Sequence, residues 1–208
     1  MVEFNQRARS DEQKSQREEA ILDAAEKLLR RSGFNSMTMQ TVASEVGLAK
    51  GTLYLYFSGR EALVLSVYGR LFDAWVDNFA ALKPELRGFA QLCDDFARCY
   101  SSDALFLQLA GLATSLLEPQ LQHDDFISFK RLTSRRVKRL AGIVCSRMNI
   151  SPRSAQHLVW RLLTIAGGAV QLAAQPRHDV EILPDDVRTF VAIAEFRSLF
   201  LNAAKPTT

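Results

Sequence analysis

The chain is predicted to be all-α, with a small N-terminal helix-turn-helix domain followed by a larger helical domain. Three observations predict this. Apolar residues recur every three to four positions through most of its 208 residues. No apolar–polar alternation bounded by turn residues marks a strand. The long periodic segments beyond residue 60 hold few breakers, and Pro84, Pro152 and Pro184 fall where helices start and stop.

Residues 1–15 are polar and read as a flexible arm carrying Arg7 and Arg9. From Gln16 the pattern becomes helical, with Ile21, Ala25 and Leu28 on one face, and Gly33 stops it after Arg30 and Arg31. Thr38 is placed to cap a second helix, Met39–Val46, with Thr41 a poor substitute for the Glu or Gln of a full capping box. Gly47 makes the turn, and a third helix is expected from Lys50 to Tyr56. Longer helices are expected over 60–82, 85–100, 103–117, 124–148, 152–174 and 185–203. Ser151 before Pro152, and the acids after Pro184, are start signals for the last two. The chain divides into the arm 1–15, a helix-turn-helix domain 16–59 and a helical domain 60–208.

Composition excludes several classes. Hydrophobic residues make up 48% and charged residues 24%, so global disorder is excluded. The net charge is only +3, and residues 1–60 hold nine Lys/Arg against eight Asp/Glu, so any basic surface must come from arrangement. Cys93, Cys99 and Cys145 form no CxxC pair and read as free thiols. Met1–Glu19 is too polar for a leader, and the apolar run Leu162–Ala174 is broken by Gln171 and too short to span a bilayer. A cytoplasmic protein without a membrane partner is expected. No nucleophile elbow, phosphate-cradling loop or HExxH pair is present, so no enzyme and no cofactor is expected. His123 beside Asp124 and Asp125 lacks a further ligand at helical spacing, so no metal is expected.

"VASEVGLAKGTLYLYF", Val42 to Phe57, carries the chemistry. A helix, a glycine turn and a short helix form the pattern whose second helix enters a major groove. Gly51 permits close backbone approach, Lys50 sits at a helix start that attracts phosphate, and the Tyr54 and Tyr56 hydroxyls can donate to phosphate oxygens. Leu53 and Phe57 are left to hold the helix to its own domain. With the flanking "AILDAAEKLLRRSGF" and "REALVLSVY", this region resembles the DNA-binding region of the tetracycline-repressor-like (TetR) family over about residues 16–68. The resemblance implies DNA contacts by Thr38, Lys50, Gly51, Thr52, Tyr54, Tyr56 and Arg60. Ala49 stands where the family often has Ser, Arg60 where Lys is usual, and Leu55 at a position often aromatic or polar.

In the larger domain, Phe72, Trp75 and Phe79 recur at helical spacing, and Phe96, Phe106 and Phe126 add rings on later helices. Such residues build either a core or a ligand chamber. The resemblance implies a chamber, with Trp75, Phe79, Phe96, Phe106 and Trp160 as its expected lining and an apolar or aromatic small molecule as its ligand. The 152–174 helix is apolar on nearly every side, and the last helix has two apolar faces. A homodimer is therefore expected through Leu162, Ile165, Gly168, Val191, Ala194 and Leu201. "KRLTSRRVKR", Lys130 to Arg139, reads as a solvated face or as ion pairs with Asp124 and Asp125 rather than a rival nucleic-acid patch. The expected function is a ligand-responsive transcriptional repressor on palindromic double-stranded DNA. The alternative is a helical DNA organiser without ligand response.

Overall fold

Gly33 adopts φ 75° and ψ 172°, a conformation outside the helical range that glycine reaches without strain, and it breaks helix α1 (Val2–Ser36) near its end. The computed structural model describes residues 2–82, 88–173 and 195–204, with side chains from residue 12 onward. Helix α1 starts at Val2, so the segment expected as an arm is helical from its second residue. Then come α2 (Met39–Glu45), α3 (Lys50–Leu53), α4 (Arg60–Ala81), α5 (Phe89–Tyr100) and α6 (Ala104–Leu112). The chain continues through a π-helical turn at Ala113–Leu117 and a 3₁₀ turn at Glu118–Gln120, then α7 (His123–Met148), α8 (Pro152–Ala173) and α9 (Phe196–Ala204).

The single helix expected over 103–117 is interrupted. The Gly111 carbonyl accepts from the Ser115 hydroxyl at 3.1 Å and from the Gln171 amide, and both compete with the helical ladder where it widens into the π turn. Gly111 also lets α8 come close, since a Cβ there would meet Val170 at 3.0 Å.

Helix α4 links the N-terminal head to the body, burying Leu63, Val64, Val67, Leu71, Trp75 and Phe79. Its C-terminal carbonyls are capped by Arg147 of α7, a buried guanidinium that donates to Phe79 at 2.7 Å, Ala80 at 3.3 Å and Leu82 at 2.5 Å. A cation at the negative end of a helix satisfies carbonyls that the helix itself cannot. The basic run of α7 also faces α4. Arg136 makes a bidentate pair with Asp73 at 2.9 and 2.8 Å, Arg139 pairs with Asp77, and Lys130 pairs with Glu118 at 2.5 Å. The partners are therefore acids of α4 and the 3₁₀ turn, not Asp124 and Asp125. Ser151 caps α8 as expected, accepting from the Ser154 N–H at 3.1 Å.

Of the expected dimer residues, Leu162 is fully buried and belongs to the chain's own core. Ile165 and Leu201 are half-buried and Gly168 is exposed, while Val191 and Ala194 lie outside the described residues.

Candidate nucleic-acid interface

Two caps bracket α2, the helix that leads into the turn. The Thr41 N–H donates to Thr38 Oγ1 at 3.1 Å, and the Thr38 N–H donates to Thr41 Oγ1 at 3.0 Å. Thr41 thus completes the capping box despite the absence of a longer acidic or amide side chain. At the other end of α2, Gly47 takes φ 68°. The Leu48 N–H reaches the Ala43 carbonyl at 2.9 Å and the Gly47 N–H reaches Ser44 at 3.4 Å, the paired bonds of a Schellman motif. Ala49 caps α3 with no side-chain bond, as its missing hydroxyl implies.

Helix α3 is shorter than expected. The Leu53 carbonyl accepts from both Tyr56 and Phe57, at 3.0 and 2.9 Å, and the helix closes into a turn. Leu53 and Phe57 are buried as expected. Thr38, Lys50, Gly51 and Tyr54 are exposed and Thr52 is half-buried. Tyr56 packs against the core and lines a cleft of about 270 Å³ between the head and α7. Across that junction the Ser58 hydroxyl donates to Asp125. Leu55, which sequence reasoning left without a role, is 77% exposed on the same edge, whereas a leucine with a packing role would be covered.

Arg60 departs from expectation. Its guanidinium stacks 3.9 Å from the Phe34 ring centroid and donates to the Phe34 carbonyl, and its Nε is buried without a partner. This arginine seats α4 on α1. It is half-buried, like Thr52 and Tyr56, and its guanidinium already has the Phe34 ring and carbonyl as partners.

A charged brace joins head and body. Arg30 of α1 donates to both oxygens of Asp103, at 3.1 and 2.7 Å, and to Glu26. Asp103 in turn caps α6 by accepting from the Leu105 and Phe106 N–H groups at 2.8 and 3.1 Å. Arg70 of α4 donates to Asp23 and Glu26, each at 2.5 Å. The Arg30 hydrogen bonds hold the Asp103 carboxyl below its usual range, although burial opposes them.

In the body, Trp75, Phe79, Phe96 and Phe106 meet in one aromatic cluster with Phe72, Tyr100 and Phe200. Phe106 stacks on Trp75 at 5.8 Å and 19°, and Phe96 stacks on Phe200 at 5.2 Å and 4°. Trp160 does not join them. It is 52% exposed on the outer side of α8, because Ala155, Val159, Leu162 and Ala166 supply that helix's inward stripe. Trp75 is 3% exposed, and its indole Nε1–H has no acceptor among the described residues. A buried donor left unpaired costs roughly 1–3 kcal/mol. Burial holds the Tyr68 and Tyr100 phenols well above their ordinary range. It also raises the Cys99 thiol, opposite to what a redox-sensing thiolate needs.

Residues 21–67 match the model of the N-terminal region of bacterial regulatory proteins of the tetR family, and residues 69–203 match a tetracycline-repressor-like C-terminal domain. The chain belongs to the TetR family. It is a DNA-binding transcriptional regulator with a helix-turn-helix head and a helical C-terminal domain, and not an enzyme. The HTH-type transcriptional regulator RutR of Escherichia coli is 26% identical over 71% of each chain. The regulator YuxN of Bacillus subtilis is 30% identical over 55% of this chain, and the match spans about a third of that relative's length (34%). Two solved structures share the fold. A TetR-family regulator from Streptomyces coelicolor has TM-score 0.52 and 18% identity, covering 86% of this chain and 96% of its own. FadR from Bacillus subtilis, in complex with stearoyl-CoA, has TM-score 0.52 and 14% identity, covering 91% of this chain and 98% of its own.

Proposed function

We propose that this TetR-family protein is a homodimeric, cytoplasmic repressor that reads a palindromic operator and releases it when a small apolar molecule enters the body. The observation that carries the reading is the exposed edge formed by Lys50, Gly51 and Tyr54, which follows α2, a helix fixed by the capping box at its start and by the Schellman motif at its end. Lys50 and the Tyr54 hydroxyl take phosphate oxygens, Thr38 and Thr52 stand at the flanks, and Gly51 admits the DNA backbone. Tyr56 contributes its hydroxyl while its ring stays packed. Leu55 presents an apolar side chain that suits a thymine methyl in the major groove.

A second copy covers the outer edge of α8, where Trp160 and Leu172 are each 52% exposed and Gly168 leaves room for close approach. Isologous pairing there presents two heads to two half-sites. Among the described residues no helix is long and apolar enough to cross a membrane. The FadR complex with stearoyl-CoA, whose acyl chain is apolar, supports an effector with an apolar part, and an effector that binds the DNA-incompetent state better must itself be opposed by DNA.

Selection of bound fragments from random and genomic DNA pools, at near-physiological salt, tests the reading. An enriched palindrome with half-sites about one helical turn apart or somewhat more is expected. Binding of bulk DNA without enrichment would instead indicate a DNA organiser.

A further inference from the structure

We infer that the effector carries a carbonyl-type oxygen and that the Trp75 Nε1–H donates to it at the centre of the aromatic cluster. The inference rests on the ligand-responsive reading above and names the chemistry of the molecule that reading requires.

Trp75 is almost fully buried, and its Nε1–H is one of two buried side-chain donor atoms without a partner among the described residues, the other being Arg60 Nε. Indole nitrogen is a donor only, so no rotation or tautomer lets the side chain satisfy itself. The rings around it are Phe72 at 5.0 Å, Tyr100 at 5.1 Å, Phe96 at 5.2 Å and Phe106 at 5.8 Å. Their faces are weak acceptors at best.

This inventory discriminates between ligands. A pure hydrocarbon gains apolar contact but leaves the indole N–H unpaired. A cation gains attraction from the ring faces but finds no carboxylate among them and leaves the indole N–H unpaired. An apolar molecule bearing a ketone, ester or carboxyl oxygen satisfies the orphaned donor and keeps its remaining surface against the rings. The rings come from α4, α5, α6 and α9, so a molecule entering between them separates helices. Phe106, stacked on Trp75, follows the Asp103 cap that holds Arg30 of the head. The same contact that recognises the oxygen therefore lies two bonded links from the reading domain.

Three naphthalene probes of similar shape test this: 2-acetylnaphthalene, 2-ethylnaphthalene and the ammonium of 2-(aminomethyl)naphthalene. Binding is measured by calorimetry and by the indole ¹H–¹⁵N signals of full-length protein, with Trp160→Phe assigning the Trp75 signal. The acetyl probe should bind about fivefold tighter than the ethyl probe, the factor one ordinary hydrogen bond supplies. It should also move the Trp75 N–H proton downfield. Replacing Trp75 by 3-benzothienylalanine, which keeps the shape without the donor, should erase the preference, and Trp75→Phe serves as a second donor-free variant. Equal affinity of the acetyl and ethyl probes overturns the inference, as does tightest binding of the ammonium. If no probe binds while the protein still selects a palindrome, the inference fails and the regulator reading stands. If probes bind as expected but no DNA site is selected, the operator reading fails alone.

Discussion

At the scale of single residues, Arg60 and Lys50 separate structure from recognition. Arg60 spends its charge on the Phe34 ring and carbonyl. Arg60→Ala is therefore expected to destabilise the fold by roughly 1–3 kcal/mol, read by denaturant titration, without changing the salt dependence of DNA binding. Lys50 is exposed and makes no ion pair with the described residues. Lys50→Ala should leave stability nearly unchanged and weaken binding across all sequences. It should reduce the slope of log affinity against log salt by about 1, the signature of one lost phosphate contact. A slope unchanged by the Lys50 substitution would remove this residue from the interface. The sequence alone did not divide the two, because the contact that occupies Arg60 comes from Phe34, 26 residues earlier and beyond any local pattern.

At the scale of elements, what is local was legible and what is long-range was not. Thr38, Gly47 and the inward Val42, Leu53 and Phe57 placed the caps, the turn and the buried face of the head before any coordinates. The π turn after α6 was not visible, since it involves Gln171, 60 residues from Gly111. The basic run of α7 showed its charge but not its partners, because Asp73 and Asp77 are brought to it only when α4 and α7 pack. Trp160 was misplaced for a related reason: an aromatic ring on an apolar helix has no sequence mark telling chamber from outer face. The brace between α1 and α6 yields a prediction of its own. Arg30 and the α6 N–H groups favour the charged form of Asp103, so its folded-state pKa lies below the ordinary 3.8. Its contribution is fully present above that value and is lost as pH falls through the lower folded one. Glu26, Asp23 and Glu19 also face Arg30 or Arg70. Asp103→Asn keeps a capping oxygen for α6 but removes the charge. It should cost at most about 1 kcal/mol at neutral pH, given the brace's exposure, and should flatten the loss of stability below pH ~4 in acid titrations followed by circular dichroism. An acid profile identical to that of the unsubstituted protein would show that the Asp103 charge does not hold head to body.

At the scale of the whole molecule, a head that reads one half-site needs a partner to read two. Trp160→Asp, on the exposed edge of α8, is expected to shift sedimentation towards monomer while leaving helix content unchanged, because this side chain packs little within its own chain. Sedimentation as an unchanged dimer would place the interface elsewhere. On the proposed reading, two rigid heads, set at a fixed separation by the dimer, read a two-fold site. The most direct test is affinity for the selected palindrome against the same half-sites moved apart by half a helical turn, ~5 base pairs, which rotates one of them to the opposite side of the duplex. The respaced site should bind no better than a single half-site. Equal affinity for the two spacings would contradict the account.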